Sequence, residues 1–279
     1  MESQNRKFFT ASVALAGMAF FGAQPALAAT VFQYNFEGGP NGANIASLVD
    51  SGPNGLNGTT FGLKYSNAVA PGGGSFAADA SGDFNYASVA DSVKLHLQNF
   101  NLSLLFNPTG SSFDPSGNHA GNLVTKKWGE VGNYLDSYGL YYNSTTGKVS
   151  GDIAFGGGAG LFVVSTDSFA VGSGWHSVQL ALTRDFSGTQ DKLELFVDGK
   201  VQGSSVGNFA PIIYAGSDLV IGASNFGCST CTYRYNFNGL IDRVSLSNTP
   251  VVAVPEPETY ALMLAGLGLF GFLGRGRKK

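Results

Sequence analysis

Leu193-Glu194-Leu195-Phe196-Val197-Asp198-Gly199-Lys200-Val201 is the stretch on which the fold reading turns. Asp-Gly between two short apolar runs predicts a hairpin with a type I′ turn, because that turn needs positive φ at both central residues. Working outward, similar β-branched and aromatic runs recur, each closed by Gly, Asn, Asp or Pro. They are residues 31–37, 84–90, 100–107, 121–129, 138–144, 148–156, 161–166, 175–184, 192–198, 219–222 and 237–247. Further turn signals stand at Gly52-Pro53-Asn54-Gly55, Asn57-Gly58 and Pro71-Gly72-Gly73-Gly74. Between the two chain ends no long apolar run keeps helical spacing. A dozen or so strands in one domain must close into two packed sheets, so the expected class is all-β, a two-sheet antiparallel sandwich.

Both ends read as addresses. Arg6-Lys7 precede an apolar run from Phe8 to Gly22, and Ala26-Leu27-Ala28 supplies a small-x-small cleavage site. Residues 1–28 are therefore expected to be a signal helix cut before Ala29. At the other end Pro255-Glu256-Pro257 lead into an uncharged stretch, Thr259–Gly274, followed by Arg275, Arg277, Lys278 and Lys279. That stretch is expected to be a transmembrane helix, though a span takes roughly 17–25 residues and this one is short. The basic end stays inside, which places the upstream domain outside. The partition is then 1–28, a domain over 29–250, and a tail over 254–279. Ten of the chain's 16 Lys and Arg and sixteen of its 19 Asp and Glu lie between Ala29 and Val254, a net charge of −6. An acidic body argues against nucleic acid as a partner.

The tripartite tail resembles the PEP-CTERM sorting signal of Gram-negative bacteria. The resemblance implies export, transient membrane insertion and cleavage near Pro255-Glu256-Pro257 by an exosortase, with delivery to the cell surface or exopolysaccharide matrix. A second resemblance runs through the body. Tyr34-Asn35-Phe36-Glu37 followed by Asp50–Gly55, then Lys126-Lys127-Trp128-Gly129 and Tyr138-Gly139-Leu140, stand in order. Gly174-Trp175-His176-Ser177-Val178, the Asp198-Gly199 hairpin, Leu219-x-Ile221-Gly222 and Phe237-x-Gly239-x-Ile241-Asp242-x-Val244 complete it. The series resembles laminin-G-like, concanavalin-type jelly rolls. Phe84-Asn85-Tyr86 and Asn101–Phe106 depart from the usual pattern.

Catalytic chemistry finds little support. Glycoside hydrolysis needs two carboxyls at a set separation, and Glu37, Glu130 and Glu194, the body's glutamates, form no such pair. Asp191 and Glu194 are three apart, which in a strand sends them to opposite faces. The neighbouring 183–190 segment reads as a solvated loop. His96, His119 and His176 show no metal-ligand spacing. His176 reads as a partly buried ring with a backbone partner. The expectation is a protein that is not an enzyme.

Three binding expectations follow. Cys228-Ser229-Thr230-Cys231 in an exported chain reads as a local disulfide, a free dithiol or metal pair being the alternative. The jelly-roll resemblance implies a structural calcium site at Glu37, Asp50 and Asp242, against the alternative that Asp50 caps a turn and Asp242 pairs with a neighbouring cation. Tyr141-Tyr142 and Tyr233-x-Tyr235 are read as a surface patch for sugar rings. Together these give an exported lectin-like or adhesive module whose partner is an extracellular polysaccharide. The competing readings are a polysaccharide-degrading enzyme and a matrix protein that binds other proteins.

Overall fold

The computed structural model describes residues 29–72, 74–112, 120–127, 136–155, 159–224 and 235–248. The expected signal segment, the C-terminal span, Pro255-Glu256-Pro257, Cys228, Cys231 and Tyr233 lie outside the described residues. The strands are β1 (Thr30–Tyr34), β2 (Thr59–Phe61), β3 (Lys64–Ser66), β4 (Ala77–Asp79), β5 (Tyr86–Val89), β6 (Phe100–Pro108) and β7 (Ala120–Lys127). They continue as β8 (Asp136–Asn143), β9 (Lys148–Phe155), β10 (Ala159–Val164), β11 (His176–Thr183), β12 (Asp191–Val197), β13 (Lys200–Gly207), β14 (Leu219–Ile221) and β15 (Gly239–Ser247).

Two antiparallel sheets form the sandwich. The eight-stranded sheet runs β13-β12-β11-β6-β15-β4-β3, with β1 on the other part of β15. The seven-stranded sheet runs β10-β9-β8-β7-β14-β5-β2. The Asp-Gly hairpin is as the sequence predicts: Asp198 and Gly199 have φ of 51° and 72°, and Val197 pairs with Lys200. The central strand β6 alternates strictly. Phe100, Leu102, Leu104 and Phe106 point into the core, while Asn101, Ser103, Leu105 and Asn107 point out. Facing them from the other sheet are Tyr138, Leu140, Tyr142 and Ile153, all fully buried.

Two polar hubs tie loops to this core. Lys126 of β7 is fully buried, and its ammonium lies 2.7 Å from an Asp91 oxygen. It also donates to the carbonyls of Ala215 (3.3 Å) and Ser217. His96 reaches the same Asp91 oxygen at 2.8 Å and stacks on Tyr214 at 4.5 Å. The second hub anchors the base of the 183–190 segment, which reads from sequence as a solvated loop. Arg184 donates to Asp191 (2.7 Å), to the carbonyls of Phe209 (2.7 Å), Ala210 (2.9 Å) and Gln98 (3.1 Å), and to the Gln98 amide oxygen. Residues 185–190 are exposed, as expected, while Thr183 and Arg184 are half-buried. A guanidinium carries five donors in a fixed fork, which is why one arginine can close so many loop ends.

Candidate functional site

The three carboxylates expected to hold calcium do not converge. Asp50 Oδ1 accepts the N–H of Gln33 (2.9 Å) and Gly52 (2.7 Å), and Oδ2 accepts that of Leu56 (2.8 Å). Its oxygens are committed to backbone donors, the turn-capping alternative. Glu37 and Asp242 do meet: with Gln33, Asn35, Gly74 and Arg243 they line a cavity of about 440 Å³. Both Glu37 oxygens accept the Ser75 N–H at 2.9 Å. Asp242 is 1% exposed; its Oδ1 accepts the Arg243 N–H at 2.8 Å and its Oδ2 has no partner among the described residues. Burial pushes the Asp242 carboxyl up to about 6, with the charge of Glu37 adding and Arg243 opposing. Calcium takes six to eight oxygens. Among the described residues no three His, Cys, Asp or Glu side chains gather, so Asp50 does not join Glu37 and Asp242 in one ligand set.

The tyrosine patch is also corrected. Successive strand residues face opposite ways, so Tyr141 and Tyr142 cannot share a surface. Tyr142 is fully buried, packs on Phe106 and Phe237, and donates its hydroxyl to the Phe169 carbonyl at 2.8 Å. Tyr235 is half-buried with φ of 58°, and its carbonyl accepts the Asn122 N–H at 2.9 Å.

Tyr141 points away from the core into a polar cluster that the sequence reading missed. Its hydroxyl lies against both Asp136 Oδ2 and Asp152 Oδ1, the latter at 2.8 Å. Both aspartates are fully buried, and Lys127 Nζ is 3.1 Å from Asp136 Oδ1. A hydroxyl has one proton to donate, so the second contact needs a proton on a carboxyl. Asp152 is the carboxyl whose surroundings favour the proton: burial raises its pKa well above the usual range, and the charge of Asp136 raises it further. Gly139 makes room, since a Cβ there would lie within 2.9 Å of all three polar atoms.

The open surface is on the other sheet. A groove of about 370 Å³ crosses the outer face of the eight-stranded sheet. Its side chains come from β1 (Gln33), β15 (Arg243, Ser245), β6 (Ser103, Leu105), β11 (Ser177, Gln179) and β12 (Phe196). Five strands span roughly 19 Å at ordinary strand spacing. Ser103 and Ser245 bond one another at 2.8 Å. The Gln179 amide and the Ser177 hydroxyl have no hydrogen-bond partner among the described residues, and Phe196 has no ring partner there. At the edge of the same sheet His176 corrects its expected backbone contact. Its Nε2 is 2.8 Å from the Ser173 hydroxyl and its Nδ1 is 2.7 Å from Asp198 Oδ2. Asp198 Oδ1 also accepts the Ser177 N–H at 2.9 Å, which locks the hairpin turn to the start of β11.

A family model described as the concanavalin A-like lectin/glucanases superfamily matches residues 81–253. The chain belongs to that superfamily. As a concanavalin A-like protein it carries a second match, the PEP-CTERM protein-sorting motif, over residues 253–278. That motif marks the protein for exosortase-dependent export to the cell envelope. No curated protein matches it in sequence. Among solved structures it is similar to the binding domain of Paraclostridial Mosquitocidal Protein 1, with a TM-score of 0.53 and 11% identity over 80% of this chain and 50% of that one. It is also similar to the Trypanosoma rangeli sialidase, TM-score 0.52 and 13% identity over 81% of this chain and 32% of that one. A third is the botulinum neurotoxin serotype D binding domain, TM-score 0.50 and 10% identity over 81% and 49%. The concanavalin A-like domain thus spans about half the length of the two toxin domains and a third of the sialidase. At these identities the likeness is one of fold.

Proposed function

We propose that this concanavalin A-like protein is a non-catalytic glycan-binding module, sorted by an exosortase to the cell surface or exopolysaccharide matrix of a Gram-negative bacterium. The observation that carries the reading is the groove across the eight-stranded sheet. An unstacked ring, Phe196, lies beside the unpaired amide of Gln179 and hydroxyl of Ser177. Sugar rings offer apolar C–H faces for such a ring, and their hydroxyls pair with amide and hydroxyl groups. The species to assay is the secreted form, beginning at Ala29 and lacking the apolar tail, recovered from culture supernatant. Replacing Phe196 with Ala is expected to weaken binding to matrix polysaccharide at least tenfold in a pull-down titration, and Gln179→Ala several-fold. Both side chains point outward from the sheet, so the melting temperature should stay within a few degrees. Undiminished binding by both variants would remove the groove from the account.

A calcium ion would belong to this reading only as a structural addition at Glu37 and Asp242. A melting temperature that rises with calcium, and does so less in Asp242→Asn, would be its sign. A hydrolytic reading has one observation in its favour, the Ser173–His176–Asp198 chain of hydrogen bonds, which has the order of an acyl-transfer triad. Covalent labelling by a fluorophosphonate, lost in Ser173→Ala, would put a hydrolase in place of the binding module.

A further inference from the structure

The outer edge of the groove is formed where β15 breaks its alternation. Asp242 is opposite Leu105 and Ser245 opposite Ser103, with a register shift between them. Ile241 and Val244 both face the core, so the two residues between them, Asp242 and Arg243, leave it together. Arg243 adopts φ of 49° to do this. Positive φ in a residue with a long side chain is costly and is held by its surroundings. The bulge turns the arginine onto the outer face, where it lines both the 370 Å³ groove and the 440 Å³ cavity.

The Arg243 guanidinium has no ion pair and no hydrogen bond among the described residues. Of the other cations of this sheet, Lys192 pairs with Glu194 at 2.6 Å, Arg184 is consumed by its loop hub, and the exposed Lys64 and Lys200 are not in the lining of the groove. Every other polar side chain of the groove is a neutral amide or hydroxyl. A half-buried guanidinium with five idle donors calls for an anion, and its planar fork fits a carboxylate with two parallel bonds. Glu37 and Asp242 line only the adjoining cavity, so an anion approaching from that side meets two carboxyl groups. On the Phe196 side the groove lining carries no carboxyl; Glu194, next along the same face, is paired with Lys192, and Asp198 at the hairpin is held by His176 and the Ser177 N–H.

We infer that the groove takes an acidic saccharide, with a sugar-ring carboxylate bound by Arg243 and a neighbouring ring lying on Phe196. This rests on the glycan-binding reading above and names the ligand class. The test uses the secreted protein with a soluble polyuronate and its fully methyl-esterified form, which share a backbone and differ in charge. Wild-type protein should bind the free acid at least tenfold tighter than the ester. Arg243→Gln should erase that preference while keeping the weaker binding to the ester, and Arg243→Lys should restore part of it. Equal binding of acid and ester by the wild type, or a preference that survives in Arg243→Gln, overturns the inference while leaving a neutral-glycan groove. Polyglutamate bound as tightly as the polyuronate overturns the saccharide assignment, and a sulfated polymer preferred at equal charge overturns the carboxylate. If neither polyuronate form binds and Phe196→Ala changes nothing, the glycan reading itself falls.

Discussion

Lys126→Met is expected to cost the protein about 3–5 kcal/mol, the range for breaking a buried ion pair from one side. Methionine keeps most of the apolar stem, so little of the loss comes from a cavity. The loss comes instead from the three acceptors around the ammonium. Asp91 keeps only His96, and the carbonyls of Ala215 and Ser217 lose the donor that holds their loop against β7. A buried acceptor left without a donor costs about 1–3 kcal/mol. For a domain of this size the total corresponds to a melting temperature lower by about 6–20 °C. The pair should also be coupled. In an Asp91→Ala background, which has already lost the carboxylate, Lys126→Met should cost less by about 1–3 kcal/mol. Thermal melts of the two single variants and the double variant check this. A loss below 1 kcal/mol in Lys126→Met would mean that water takes over the work of the ammonium.

The architecture was legible because most strands are long enough to show a pattern. Each of the eleven runs picked out by composition overlaps a strand. The strands that escaped notice have physical reasons to do so. β2, β3 and β4 are three residues long, too short for alternation to emerge. Of β13 only the start, Lys200-Val201, was legible, as the second arm of the Asp-Gly hairpin, because Gln202, Gly203, Ser204 and Ser205 offer few apolar residues to alternate. The candidate site was less legible, because it depends on register. Asp152 lies beside Tyr141 only because it pairs with Gly139 across β8 and β9, and nothing in either segment alone announces that. Asp50 stays open between ligand and turn cap because a turn-capping carboxylate and a metal-binding one look alike in sequence. The bulge left a readable trace in Ile241-Asp242-Arg243-Val244-Ser245-Leu246, where the apolar spacing changes from three to two. Such a change in period marks a two-for-one step in an antiparallel pair.

Stability should rise, not fall, as the pH is lowered from 8 toward 5. Burial raises the carboxyls of Asp152 and Asp242 above their ordinary values, so the folded state binds protons more tightly than the unfolded chain. For such groups the stabilising contribution is complete below the unfolded value, near 4, and is lost as the pH rises through the folded value. For Asp242 that loss runs from about pH 4 to about 6 and amounts to roughly 2–3 kcal/mol by neutral pH. Asp91 and Asp191 run the other way. Hydrogen bonds from Lys126 and His96 to Asp91, and from Arg184 to Asp191, outweigh the burial that would raise them and lower both carboxyls. Their contribution is present above the unfolded value and is lost as the pH falls below about 4. The stability profile is therefore expected to peak between about pH 4 and 5, decline gently toward pH 8 and drop steeply in stronger acid. Asp152→Asn and Asp242→Asn separate the two arms. Each should flatten the decline between pH 5 and 8, so that the variants match or exceed the wild type at pH 8, and neither should change the acid limb. Chemical denaturation across the pH range reads both limbs. An unaltered slope in both variants would show that these carboxyls are ionised in the folded protein and that the proton between Asp136, Tyr141 and Asp152 is not there.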